Sequence, residues 1–229
     1  MSPDREDDHH DLLSVLGHEL RSPLTAIRGA SSLLLMAQDD LPPEKVGELL
    51  RLIESQAARM ADRVEDVLVA GRLDAGRQRV LMEDVELSEL VADVIESSGF
   101  AAAGGRIHLE GSLQGVRARG DLQRVSHVLR IFLDNATRFS PPGSPVEVRV
   151  EARPTWVRIE VLDRGPGVAE EEQERIFERG VKLDGSGPGA GIGLYIARGL
   201  ASAMGGQAGV DPRPGGGSTF WLSLPPARK

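Results

Sequence analysis

Between Leu13 and Val67 apolar side chains recur in two runs at helical spacing, and this stripe limits the fold more than any other feature of the chain. In the first run Leu13, Leu16, Leu20, Leu24, Ile27 and Leu34 follow at steps of three, four or seven. That is the period of one face of an α-helix. The segment Ala37–Glu44 (AQDDLPPE) interrupts it with two prolines and two aspartates. The period resumes at Val46, Leu49, Ile53, Ala57, Met60, Val64 and Val67, then fades across Gly71–Gly76. Two helices of about 30 residues, each about 45 Å long, therefore make an antiparallel hairpin. A lone hairpin leaves this narrow stripe half covered. Two hairpins side by side close a four-helix core, so the pattern predicts a homodimer. The alternative is a hairpin packed on the rest of its own chain.

Arg77–Asp84 reads as a linker, which puts a helical domain over residues 1–79 and a second domain over residues 80–229. A short strand at Val85–Leu87 leads to a helix from Ser88. Arg106–Leu109 and Val116–Arg119 read as strands, and Asp121 as the N-cap of a helix to about Arg138. Val146–Ala152 and Trp156–Leu162 alternate apolar and charged residues, as strands with one face on a core do. A helix over Ala169–Phe177, a glycine-rich stretch, a helix over Ile192–Met204 and a hairpin around Pro212–Gly217 follow. The fold class is α+β: a helical hairpin forming a dimeric four-helix bundle, then an α/β sandwich of a mixed sheet covered by helices.

Composition narrows the function classes. With 40% hydrophobic residues the chain builds packed cores, and with 3% aromatics it builds them from Leu, Val, Ile and Ala. A net charge of −8 argues against nucleic acid or an anionic membrane as partner. Zero cysteines exclude disulfides, thiolate nucleophiles and cysteine-based zinc sites. No apolar run is long enough to span a membrane, and the charged start MSPDREDDHHD is not a signal peptide.

Four segments carry chemistry. In Leu16–Leu24 (LGHELRSPL), His18 lies two positions after Leu16 and so off the stripe. An exposed imidazole is largely unprotonated near neutrality and nucleophilic; Glu19 beside it is placed to take or orient a ring proton. Pro23 leaves the Glu19 carbonyl without its helical donor and predicts a bend there. A zinc-protease helix needs a second histidine where Ser22 stands. In VLRIFLDNATRFSPP, Ile131, Asn135 and Arg138 share a helix face; an amide oxygen suits Mg²⁺ and a guanidinium suits phosphate. At the end of a strand, Asp163 is followed by Gly165 and Gly167, a carboxylate acceptor matched to an exocyclic amine such as that of adenine. Finally Gly189, Gly191 and Gly193 precede a helix and suit phosphate at its N-terminus. Leu194 and Tyr195 stand where a Walker loop has Lys and Ser/Thr. Taken singly, each segment has an ordinary reading: a surface histidine, a capping Asn, a turn, a flexible linker.

Their order is specific. The chain resembles the sensor histidine kinases with a HisKA-like phosphoacceptor hairpin and a GHKL (Bergerat-fold) ATPase domain. The resemblance rests on the H-box His18-Glu19-Leu20-Arg21-Ser22-Pro23-Leu24, the N-box at Asn135-Ala136, the first glycine box Asp163-x-Gly165-x-Gly167, the F-box Ile176-Phe177-Glu178-Arg179 and the second glycine box Gly189-x-Gly191-x-Gly193-Leu194. The ending GGGSTFWLSLP is similar to the family's final hairpin.

The resemblance implies an ATP:protein-histidine phosphotransferase of two-component signalling. His18 would accept the phosphoryl group, with Glu19 as its polar helper and Ser22 at the position linked to dephosphorylation, where the family usually has Thr or Asn. ATP would meet Asn135, Arg138, Phe139, Asp163, Gly165, Gly167, Phe177, Gly189, Gly191, Gly193 and Leu194, with Mg²⁺ held by Asn135. The loop from Glu178 to Pro188 would be the ATP lid. The implied partners are a second copy and a response regulator receiver domain, and the implied location is the cytoplasm, free-standing or as part of a larger sensor. Besides Ser22, three positions depart from the pattern: Ile131 where a second Asn is common, Phe139 where Tyr is, and Gly180 where an aromatic is.

Overall fold

The computed structural model describes residues 4–37, 41–97, 106–111, 113–183 and 191–228; in the first helix, side chains are described at Gly17 and from Leu20 on. The chain divides into two compact units, one running to Gly71 and the other comprising Arg72–Leu183 and the chain from Gly191 onward.

The first unit is the helical hairpin. Helix α1 spans Asp4–Ala37 and runs through Pro23. Thr25 Oγ1 donates to the Arg21 carbonyl at 2.8 Å in the same stretch. Helix α2 spans Pro43–Asp74. Pro43 starts it, where a missing N–H costs nothing, and the Lys45 and Val46 amides close the first turn on the Pro42 carbonyl. Ala30 and Leu49 are buried, whereas Leu24, Leu33, Leu35, Met36, Leu50, Leu52, Val64 and Leu68 are exposed.

The second unit contains strands β1 (Glu83–Glu86), β2 (Ile107–Glu110), β3 (Arg117–Gly120), β4 (Val146–Ala152), β5 (Val157–Leu162), β6 (Gln207–Pro212) and β7 (Ser218–Leu224). Its helices are α3 (Leu87–Ser97), α4 (Leu122–Phe139) and α5 (Gly193–Ala203). The main sheet has the order β2-β4-β5-β7-β6, with β2 and β4 parallel and the other neighbours antiparallel. The remaining two strands form a separate antiparallel ribbon, β1-β3.

Helix α4 is the keystone of the core. Val125, Val128, Leu129, Phe132, Leu133 and Ala136 recur at helical spacing and are all buried. They face Val146, Val148, Ile159, Val161 and Phe220, which alternate with charged or polar residues along their strands. The Phe132 and Phe220 rings are 5.7 Å apart. Each of the larger side chains among them contributes about 1.5–3 kcal/mol by leaving water. Asp121 caps the helix as its position predicts: Oδ1 accepts the Arg124 N–H at 3.2 Å. Its Oδ2 accepts the Leu81 N–H at 2.7 Å and so ties the incoming linker to the helix start.

The helix expected over Ala169–Phe177 does not form. Two 3₁₀ turns, Glu170–Glu172 and Arg175–Phe177, stand there instead. The segment opens with a run of like charges, Glu170–Glu172, and buries only Ile176 and Phe177, too little packing to hold so short a helix.

Candidate nucleotide and phosphoacceptor site

Three backbone segments converge at the end of α4. Ser140 ends the helix, its amide bonding back to the Ala136 carbonyl at 3.1 Å, and Pro141 and Pro142 bar continuation. Ser140 Oγ accepts the Arg164 N–H at 3.1 Å, which ties this end to the loop after β5. Asn135 is half-buried on the last turns, and the Arg138 guanidinium lies 4.9 Å over the exposed Phe139 ring. Ile131, one turn before Asn135, is only 8% exposed. It packs on the start of α5, where a Cβ on Gly193 would come within 3.3 Å of its Cγ2.

Asp163 follows the last residue of β5 and is 2% exposed. Its Oδ1 accepts the N–H of Gly165 at 2.7 Å and of Ser218 at 3.1 Å. Oδ2 accepts no hydrogen bond among the described residues, so one carboxylate oxygen stays available. Burial pushes the Asp163 carboxyl above its ordinary value, opposed by those two N–H groups and by the charge of Arg213.

The second glycine box meets the F-box loop. Gly180 N–H donates to the Gly191 carbonyl at 3.0 Å, and Gly191 takes φ 67°. A Cβ at Gly191 would lie 2.8 Å from the Gly180 carbonyl carbon, so no side chain fits there. Gly193 opens α5, whose first N–H groups have no side-chain cap. Leu194 is half-buried on its first turn, and Gly167 at φ 82° sits close to the Gly217 carbonyl. Phe177 is buried beneath the Arg198 guanidinium, 4.2 Å from its ring centroid, and Arg198 pairs with Glu174 at 2.8 Å. Gly189 and the lid residues 184–188 lie outside the described residues, as do the side chains of His18 and Glu19. His18 and Glu19 are part of α1, and Ser22, one turn later, is exposed.

The order of this site along the chain matches known proteins. Residues 120–228 match the family of histidine kinase-, DNA gyrase B- and HSP90-like ATPases, and residues 8–76 match the His Kinase A (phospho-acceptor) domain. The chain belongs to the histidine kinases. This kinase core is 31% identical over 236 residues to the signal transduction histidine-protein kinase AfsQ2 of Streptomyces coelicolor, covering 96% of this chain and 42% of that protein. It is 32% identical over 220 residues to the sensor-like histidine kinase SenX3 of Mycobacterium tuberculosis, covering 94% and 53%. The chain thus spans about half, or less, of the length of these curated relatives. Among solved structures, full-length ShkA in complex with AMPPNP superposes with a TM-score of 0.65 at 31% identity, over all of this chain and 47% of that one.

The kinase core also contains site neighbours that sequence reasoning missed. Ser218 bonds the Asp163 side chain, and the Arg213 Nη1 donates to the Asp163 carbonyl at 3.0 Å. A signal for the first was present in the GSTF ending; none existed for the second. Within the second unit, Asp74 in the last turn of α2 accepts the Tyr195 hydroxyl at 2.5 Å and pairs with Arg179 at 2.7 Å. Burial, then Asp74, pushes the Tyr195 hydroxyl up to about 12. Gly199 on α5 leaves room for the Leu73 side chain beside it.

Proposed function

We propose that the chain is an ATP-dependent protein-histidine kinase that phosphorylates His18 and passes the phosphoryl group to an aspartate of a response regulator receiver domain. The observation that supports this most is Asp163, buried, held through one oxygen by two backbone N–H groups and open at the other. An exocyclic amine donor suits that oxygen, and adenine carries one.

The donor set fits ATP, and for Mg²⁺ it fits a single protein ligand. Asn135 offers an amide oxygen, while Ile131 one turn away is apolar and packed on Gly193. No group of three or more His, Cys, Asp or Glu is placed to hold a metal among the described residues. Such a site leaves most Mg²⁺ ligands to phosphate and water, and the bound ion would neutralise phosphate charge. Gly191, Gly193 and the uncapped start of α5 would take phosphate oxygens, with Gly189 completing the box and Arg138 adding charge. Gly165, Gly167, Phe139 and Leu194 would border the base, and Phe177 would brace the loop beside it.

In the transfer, a ring nitrogen of His18 forms a bond to the γ-phosphorus as the bond from that phosphorus to the β,γ-bridging oxygen breaks, and ADP leaves. Glu19 receives or orients the ring proton, and Ser22 borders the acceptor one turn on. The phosphoryl group then moves from nitrogen to a carboxylate oxygen of the regulator. Residues 1–79 would serve as the dimerisation and phosphotransfer domain and residues 80–229 as the ATP-binding domain, in the cytoplasm. The exposed apolar side chains of the hairpin support the homodimer. No helix among the described residues is long and apolar enough to cross a membrane.

The test is incubation with ATP labelled at the γ-phosphate, followed by phosphosite mapping. Label is expected on His18, acid-labile and base-stable, absent in His18→Gln and present in a His9/His10 double variant. Label retained by His18→Gln and lost in the double variant defeats the assignment. A non-catalytic dimeric scaffold is a second reading, favoured by the apolar Ile131 in the N-box; absence of ATP turnover would select it.

A further inference from the structure

The turn between β6 and β7 lies on the main chain of Asp163, 50 residues away in sequence. Ser218 and Asp163 exchange hydrogen bonds: the Asp163 amide donates to the Ser218 carbonyl at 2.9 Å, and the Ser218 amide donates to Oδ1. Gly217, at φ 101°, lets the turn approach; any Cβ there would collide with the Asp163 carbonyl oxygen. Two arginines strap the pair together. Arg164 Nη1 reaches from the Asp163 loop to the Pro214 and Gly216 carbonyls, at 3.3 Å each.

Arg213 reaches the other way and is far less exposed, at 5% of its side chain. Nη1 donates to the Asp163 carbonyl at 3.0 Å and Nη2 donates to Glu147 Oε2 at 2.6 Å. Glu147 lies on β4 directly opposite Leu162, the residue before Asp163. The Arg213 hydrogen bond holds the Glu147 carboxyl below the usual carboxylate range. The guanidinium therefore spans a fixed point on the neighbouring strand and the main chain of Asp163. A planar fork makes both bonds at once, which an ammonium point charge does not. Burying the guanidinium is costly, and apolar packing often does as well for stability alone.

We propose that Arg213, anchored by Glu147, is a positioning residue for base recognition: it fixes the Asp163 main chain so that the free Oδ2 is presented to the exocyclic amine of the nucleotide. Arg213 touches no nucleotide and acts through Asp163. The inference rests on the reading of Asp163 as the adenine acceptor.

The experiment compares binding of ATP and inosine triphosphate to the full chain by calorimetry. The two differ at the position of the amine, where inosine carries a carbonyl that cannot donate to Asp163. Wild type is expected to favour ATP by roughly 10–100-fold, the usual worth of a hydrogen bond to a charged group. D163N, whose amide oxygen takes the two backbone N–H groups and so turns its NH2 to the base, is expected to abolish or reverse the preference. R213M is expected to lose about tenfold in ATP affinity, with inosine triphosphate binding unchanged and R213K between; such a fold-change is near that of one misplaced hydrogen bond. If R213M weakens both nucleotides equally, or neither, Arg213 is a structural residue and the inference falls. If wild type does not discriminate, or D163N still favours ATP, the adenine reading itself fails and takes this inference with it. Should R213M lose its cooperative melt, E147Q reads the same ratio: a selective loss for ATP supports positioning, and an unchanged ratio overturns it.

Discussion

The two units of this kinase core solve burial in opposite ways. In the sheet unit, Val125, Val128, Leu133, Val146, Val161 and Ile196 retain no exposure at all. In the hairpin unit, Leu35 and Met36 are 78% and 83% exposed, and Leu50, Val64 and Leu68 are also open. The sheet unit completes its core from its own chain, because α4 and α5 lie against the main sheet and α3 packs on α4. In the hairpin the stripe residues Leu34, Leu49 and Ile53 are at least half-buried, whereas Leu24 and Val64 on the stripe and Leu35, Met36, Leu50 and Leu68 beside it are open, so covering these side chains needs another surface. The contrast assigns stability to one region and assembly to the other.

The strongest way to break that contrast is to separate the regions. Residues 1–79 are expected to dimerise and residues 80–229 to remain monomeric at roughly tens of micromolar, the range of weak association. Ultracentrifugation of both fragments decides this, and a monomeric 1–79 contradicts the division of labour. A single core truncation sharpens it. Phe132→Ala should cost the sheet unit about 3–5 kcal/mol in chemical denaturation, while Val64→Ala should leave that transition within about 0.5 kcal/mol. Equal effects would show that the two regions share one core.

A smaller effect follows from Asp163. On the proposed role of Asp163 as acceptor of the base amine, ATP affinity should be full with the carboxylate ionised and fall as pH drops, sooner than for an ordinary carboxylate. For folding the sign reverses. The folded state binds this proton more tightly than the unfolded chain, so Asp163 favours folding at low pH and opposes it above its raised value. ATP titrations from about pH 7 to about pH 4.5, alongside melts, should therefore move in opposite directions for this group when wild type and Asp163→Asn are compared. A pH profile of ATP binding that is the same in wild type and in Asp163→Asn would remove Asp163 from base recognition.

The smallest effect concerns Ile131. Its buried side chain packs on Gly193 at the start of α5. Ile131→Asn restores a second amide in the N-box face but buries it. Autophosphorylation should accelerate at limiting Mg²⁺, within the 10–100-fold that contacts around a metal commonly carry, while stability falls by about 1–3 kcal/mol. The check is a magnesium titration of the initial rate in both proteins; superimposed curves would take position 131 out of the metal site.

Local signals were legible and long-range ones were not. The stripe residues marked both long helices, Asp121 marked the start of α4, and Pro141-Pro142 marked its end, because spacing and capping are encoded within a few residues. The order of the boxes led to Asn135, Asp163, Gly191 and Gly193. By contrast, β1 and β3 pair across more than thirty residues, Glu83 opposite Gly120, and nothing local distinguishes that ribbon from an edge of the main sheet. Arg213 reads as an ordinary turn residue until Glu147, 66 positions earlier, meets it. The link of Tyr195 to Asp74 crosses 121 positions. Ile131 was legible as a departure from pattern, but its contact with Gly193 belongs to the packing of α4 on α5.

The outer face of the sheet carries both tryptophans of the chain. The Arg158 guanidinium stacks over both, 5.1 Å from the Trp156 ring and 4.2 Å from that of Trp221, and Gly209 leaves the Trp221 ring room to lie against β6. Both fluorophores therefore belong to the unit that closes its own core, and the hairpin has none. Ultraviolet emission excited at the indole band watches one half of the molecule and is blind to the other. Circular dichroism in the peptide region is weighted instead toward the long helices. Recorded together on the same sample, the two signals turn a label-free pair of optical traces into separate clocks for the two units, with no dye or inserted probe.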